Sequence, residues 1–341
     1  MTAEKKGTPK KKACGLLRGR GIFVLLTILL VCTAVLALWL GSSKLNLSEV
    51  FSGLFSSENA KLSVIIRYIR LPRMLAALLA GIGLSISGVL LQGVTDNGLA
   101  SPNIIGVNSG AGFLTILTLS CFPHAIFALP FAAFFGAFAA TLLIVWTANR
   151  IGSSKTTIIL AGMALTTILN AGISFISLLD TDVLAVYNYF SVGGLSGVTM
   201  ESLMIPAVLI FLSLGAALLL SPKISLLCLG DSLASSLGVR VRLLRMVCLI
   251  CASASAAAVV SFAGLLGFVG LIVPHIARRL TGSGMAKALL SSSLVGGTIV
   301  MLADTIGRTL FAPTEIPVGI VMALIGAPFF LMLLLRRKEH A

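Results

Sequence analysis

The sequence predicts an all-α polytopic membrane protein with about ten transmembrane helices, and three observations carry that reading. Apolar residues make up 57% of the chain and charged residues only 11%, where a soluble domain carries about 25% charge. Mean hydropathy is +1.08, which excludes a soluble chain of this length. Apolar runs also recur from end to end, most of them close to the ~20 residues a helix needs to cross ~30 Å of hydrocarbon.

The spans are expected at 21–43, 74–95, 103–121, 126–148, 156–179, 202–221, 243–263, a short 266–278, 286–303 and 316–335. The first follows a basic segment and so resembles a secretion signal. Its apolar run of about 23 residues is longer than the 7–15 of a cleavable leader, so it reads as a retained span. Residues 1–20 then form a disordered basic cytoplasmic tail, and 21–341 a single transmembrane domain.

The second span is the best marked. Arg70, Pro72 and Arg73 precede an uncharged run to Thr95, and Pro72 fits the first turn of a helix. Ala77, Gly81, Ser85 and Gly88 form a small-residue face, which lets a neighbouring helix approach closely. A polar turn with Asn97 and Gly98 follows, and Ser101-Pro102 reads as N-cap and first residue of the third span. Residues 180–201 are too polar and glycine-rich for a clean span and read as an external loop with a partly inserted element. Around Pro274 the eighth span is interrupted by glycines. Irregular backbone survives at that depth only where protein or a water-filled cavity satisfies its polar groups.

Charge placement sets orientation. The net charge is +14, and with these spans most Lys and Arg collect on the side of the two termini. Lysine and arginine bias makes that side cytoplasmic, so the excess reflects topology and contact with anionic lipid rather than nucleic acid.

Catalytic and metal signatures are missing. No GxxxxGK[ST], HExxH or GxSxG occurs, so the chain does not hydrolyse nucleotide itself and no cofactor is expected. His124, His275 and His340 are scattered, and the Cys248–Cys251 pair lies in an apolar, small-residue helix, where packing is its role. An ion-coupled secondary transporter is the alternative class. It would need an intramembrane ionisable group, and the spans are nearly free of charge away from their ends.

Three constellations carry function. Arg70, Arg73 and Arg308 fall on the external side together with Asp304 and Glu315. They read either as snorkelling residues and local ion pairs, such as Asp304–Arg308 at helical spacing, or as a docking patch for an acidic partner. A cytoplasmic connector between the sixth and seventh spans contains Gly230, Asp231, Ala234, Leu237 and Gly238. The third is the pair GFVGLIVPHIAR (267–278) and EIPVGIVMALIGAPFF (315–330).

With the RLPR segment and the positions of Asn97, Leu99, Ala100 and Pro102, these motifs resemble the permease subunits of bacterial ATP-driven importers for iron-siderophores, haem and vitamin B12. The likeness runs from about residue 60 to 335. It implies the type II importer permease fold, two ATPase subunits, a second permease subunit (a copy or a paralogue) and an extracytoplasmic substrate-binding protein. It further implies that Arg70, Arg73 and Arg308 meet glutamates of that binding protein. Gly230, Asp231, Ala234, Leu237 and Gly238 would mark a coupling helix seated on the ATPase. Asn97 and Leu99, with Ser153 and Ser154, would form a cytoplasmic gate. Gly98 stands where the family usually has proline. The cargo is not legible in one sequence.

Overall fold

A computed structural model of the chain describes residues 9–41, 45–55, 60–103, 105–151, 155–282 and 284–338. Its helices, in order, are α1 (Pro9–Trp39), α2 (Leu47–Phe55), α3 (Ala60–Val64), α4 (Leu71–Thr95), α5 (Val107–Cys121), α6 (Leu129–Ile151) and α7 (Lys155–Leu179). There follow α8 (Thr181–Val192), α9 (Met200–Leu227), α10 (Asp231–Ser236), α11 (Val241–Ala263), α12 (Val269–Thr281), α13 (Met285–Thr309) and α14 (Val318–Lys338). Among the described residues there is no strand. Seven helices are long and apolar enough to cross a membrane, and α5, α12 and α14 are shorter apolar or amphipathic elements beside them. Each of the ten expected spans therefore has a helix, while the strict length criterion is met by seven.

The helix α4 is the axle of the bundle. It packs along α13, α11, α12 and α9, and the expected small face makes this possible. A β-carbon added at Gly81 would fall on the backbone of Gly296, and one at Gly88 on the carbonyl of Gly270. The backbones of α4, α13 and α12 thus touch directly, which maximises dispersion contact where lipid removes any hydrophobic drive. Hydroxyls then tie the layers. Ser255 Oγ donates to the Gly83 carbonyl at 2.9 Å, and Ser253 Oγ donates to Thr141 Oγ1 on α6 at 2.7 Å. Such bonds average about 0.6 kcal/mol in a bilayer protein, so close packing dominates and the hydroxyls set register.

Two boundaries differ from the sequence reading, and the entry to α4 contains a turn that the sequence did not show. The helix α1 begins at Pro9, within the segment read as a disordered tail: no proline follows before residue 20, and Gly15 and Gly19 weaken a helix without ending it. Pro72 stands in the first turn of α4, as expected, but that helix does not start from a loop. The chain enters α4 from α3 through a π-helical turn, Ile65–Arg70, in which the Leu71 N–H reaches back to the Ile66 carbonyl. Proline lacks the N–H that an uninterrupted ladder needs, and the wider turn absorbs the gap. The helix α5 begins at Val107 rather than 103, behind Gly106 at φ 69°. This left-handed residue ends the turn from Pro102 and suits glycine.

The segment read as a partly inserted external element is α8. Asp180 caps it by accepting the N–H groups of Asp182 and Val183, both at 3.1 Å. Its far end is fastened to two spans. The Gly194 N–H donates to the Ala263 carbonyl of α11, and the Gly319 N–H of α14 donates to the Gly193 carbonyl.

Candidate coupling and docking sites

Chain alternation puts α10, the end of α4 and the starts of α11 and α13 at one end of the bundle. The opposite end holds the close of α1, the start of α4 and the close of α13. Each end carries one of the sequence-predicted sites.

At the α10 end, Gly230 adopts φ 114° and Gly238 φ 81°. Both positions favour glycine because they turn the chain into and out of α10. Asp231, at the start of α10, accepts Arg245 Nη2 on both carboxylate oxygens, at 2.9 and 3.0 Å. Arg245 is buried on α11 while Asp231 is 48% exposed, so the pair pins the short helix to the bundle. Ala234 is fully buried against the chain itself. Ala234 thus packs within this chain, and Gly238 answers to its backbone angle rather than to crowding, since a β-carbon there meets nothing within 4 Å. Three leucines are exposed here, Leu229 just before the Gly230 turn, Leu233 on α10 and Leu237 just after it, by 64%, 52% and 57%. Beside them a groove of about 520 Å³ runs between α9 and α11, lined by Lys223, Arg240 and Leu243 among others. The sequence reading took Leu237 but passed over Leu229 and Leu233, although the Leu-xxx-Leu-xxx-Leu spacing was legible.

Close by lies the turn after α4. Asp96 ends the helix at φ 50°. Asn97 Oδ1 accepts the Leu99 N–H at 3.0 Å, and the Asn97 carbonyl accepts the Ala100 N–H. These bonds rigidify the turn without a proline at Gly98. Ser153 and Ser154, the other expected gate residues, lie outside the described residues. A polar link sequence reasoning missed crosses just above. Arg278 on α12 donates to Gln92 Oε1 on α4 at 3.0 Å, joining both helices near the turn.

At the opposite end the three arginines are 3% (Arg70), 8% (Arg73) and 3% (Arg308) exposed. All three have partners inside the chain. Arg70 Nη1 donates to the carbonyls of Leu38 and Trp39 at 2.7 and 2.6 Å, and Arg308 Nη2 donates to that of Ala37. Together they cap the last turn of α1, where unpaired carbonyls and the helix dipole both attract cations. Arg73 binds Asp304 through Nε and Nη2 and Glu315 through Nη1. Arg308 Nε also stands 3.6 Å from Asp304, the i, i+4 pair foreseen in the sequence. One turn earlier, Arg67 donates to the carbonyls of Gly53 and Leu54 at the end of α2. The arginine segment is therefore a comb, each tooth closing a different neighbour, and the π turn sets the teeth apart.

One further surface stands out. In its middle, α7 exposes Thr167, Asn170 and Ser174. An amide and two hydroxyls do not favour lipid tails, so this face belongs against protein or water.

Comparison with known proteins agrees with this geometry. A family profile described as the FecCD transport family matches residues 28–336. The Fe(3+)-citrate import system permease protein YfmE of Bacillus subtilis is 36% identical over 332 residues, covering 97% of this chain and 98% of that one. The achromobactin transport system permease protein CbrC of Dickeya dadantii is 37% identical over 317 residues, covering 91% and 90%. The solved structure of a metal-chelate type ABC transporter in an inward-facing conformation superposes with a TM-score of 0.84 at 33% identity. That match covers 93% of this chain and 99% of the other.

Proposed function

Because the chain belongs to the FecCD transport family, as a membrane-embedded permease subunit of an ATP-binding-cassette importer, we propose that it forms half of a translocation path for a ferric chelate. A second permease subunit, a copy or a paralogue, supplies the other half. The α10 end is cytoplasmic and receives an ATPase subunit on each permease. The arginine end is external and receives the substrate-binding protein.

The observation that carries this reading is the exposed leucine group at α10, with Leu233 on the helix and Leu229 and Leu237 at its two flanks. Three large apolar side chains at a basic, water-facing end are unfavourable unless a partner covers them. The surrounding Lys223, Arg240 and Arg242 would otherwise keep that end solvated. Asp231–Arg245 pins α10 to the bundle, so closure of an ATPase pair would move α10 as a lever against α9 and α11. Asn97 and Leu99, at the same end, would close the path there. Thr167, Asn170 and Ser174 of α7 would offer polar contacts along its wall, since a chelate carries oxygen donors and acceptors. The chain contributes levers and a path, and hydrolysis belongs to the partner.

On the docking side, Arg70 and Arg308 act through their field from behind the surface, and Arg73 is the arginine whose partner lies nearest the outside. Exchange of a ferric chelate across vesicles reconstituted with permease, ATPase and binding protein tests the whole reading. Leu233→Asp should abolish both ATPase co-purification and uptake while the permease stays folded. Normal uptake by that variant would sink the assignment.

A further inference from the structure

Arg73 holds two carboxylates of unequal standing. Asp304 takes Nε and Nη2 at 3.0 to 3.1 Å, and its side chain is 3% exposed. Glu315 takes Nη1 alone at 2.6 Å, and its side chain is 32% exposed. Asp304 sits within α13, whereas Glu315 sits on the connector to α14. The first pair is locked into the bundle and the second can open by rotation of one side chain into water.

The Arg73–Glu315 bond also lines a small cavity of about 70 Å³ with Tyr189, Ser196 and Pro317. That volume takes about two water-sized groups at about 30 Å³ each, room for a carboxylate and too little for a chelate. Its polar lining is rich in donors: the guanidinium, the Tyr189 phenol and the Ser196 hydroxyl. Both Tyr189 and Ser196 are exposed, so the cavity opens to the outside of the bundle.

We propose that Arg73 is an exchange site. A carboxylate on the acidic surface of the extracytoplasmic partner enters past Tyr189 and Ser196, takes Nη1 of Arg73 and displaces Glu315 into solvent. Asp304 stays in place throughout, so the guanidinium is never left unpaired. The incoming group is chemically the same as the one it replaces, which keeps the swap close to balanced and readily reversible. Displacement also has a route inward. Next to Glu315, the Ile316 N–H donates to the Gly307 carbonyl on α13 at 2.9 Å, and the Gly319 N–H donates to the Gly193 carbonyl at the end of α8 at 3.1 Å. Freeing Glu315 thus loosens the joint between α8, α13 and α14. This inference rests on the reading that the arginine end receives the binding protein.

The test uses the assembled permease–ATPase complex in nanodiscs. The probe is the purified substrate-binding protein that restores uptake in the reconstituted importer, titrated at low and high salt. Glu315→Gln removes the resident competitor, and binding at low salt should tighten about two- to five-fold, the size expected of a partly exposed ion pair. Glu315→Asp, too short to reach Nη1 easily, should tighten it by less. Glu201→Gln removes a charge at the same end without touching Arg73, and should change binding by less than either. The exchange is overturned if Glu315→Gln binds as wild type does or more weakly, or if Glu201→Gln tightens binding equally. If wild type binds with no salt dependence, the docking reading itself fails. Salt-dependent wild-type binding with an indifferent Glu315→Gln rejects the exchange alone.

Discussion

Replacing Gly88 by alanine should be among the most damaging single-methyl changes in this chain. The added β-carbon would stand 1.9 Å from the Gly270 carbonyl oxygen, 2.6 Å from its carbon and 2.8 Å from its Cα. All three are backbone atoms, so no side chain can swing away. Restoring van der Waals contact at about 3.5 Å requires α4 and α12 to part by roughly 1–1.5 Å, which forfeits much of the dispersion along that seam. Overpacking of a well-packed interior costs about 1–3 kcal/mol, and the absence of a yielding side chain puts Gly88→Ala at the upper end. Separation of these helices also stretches the Gln92–Arg278 bond one turn further on. Gly215 on α9 is the matched control, because a β-carbon there meets nothing within 4 Å. Gly215→Ala should be neutral or stabilising by up to ~1 kcal/mol, since alanine is the better helix former. The assay is heat challenge in detergent followed by size-exclusion recovery of monodisperse protein, with uptake measured in parallel. Equal recovery of Gly88→Ala and Gly215→Ala would refute direct backbone packing of α4 on α12.

Asp304→Ala leaves two buried guanidiniums facing each other, and breaking such a pair costs about 3–5 kcal/mol; membrane yield should fall, and recover in part when Arg73 is also changed to Met. The double reversal Arg70→Glu with Arg308→Glu should likewise lower the amount of folded permease, since both arginines cap α1; normal abundance would show that the caps are dispensable. Asn170→Leu should leave abundance unchanged and reduce uptake several-fold, and unchanged uptake would remove α7 from the path. Orientation is checked by single cysteines labelled with an impermeant thiol reagent in intact cells. Phe311 should react from outside and Leu237 should not, both being exposed in the bundle, and labelling of residue 237 from outside would invert the topology.

The spans were legible because apolar length and small-residue spacing are local properties, and Gly81, Ser85 and Gly88 meet the neighbours that their spacing calls for. Fates of the charged residues were less so. Arginine is among the side chains least often buried, and one strand of sequence does not show that the carbonyls of residues 37 to 39 lie within reach of Arg70 and Arg308. Pro72 was legible as a first-turn proline of α4, whereas the π turn that joins α3 to it was not, because no local spacing marks a wider turn. At α10 the motif glycines were readable but their role was not. The positive φ of Gly230 and Gly238 belongs to the turn, and the large side chains exposed there are leucines.

The arginine caps on α1 have a consequence for biogenesis. The first helix enters the bilayer long before the segment that completes it. Its closing carbonyls at residues 37 to 39 wait for Arg70 and then for Arg308, which is synthesised near the end of the chain. Until α13 is inserted, the Ala37 carbonyl lacks its Arg308 donor, while Arg70 already holds those of Leu38 and Trp39. A ribosome stalled before residue 308, or a chain truncated there, would present an unfinished rim to membrane proteases. Only a chain that includes Arg308 closes it, so completion of the first helix depends on one of the last to be made.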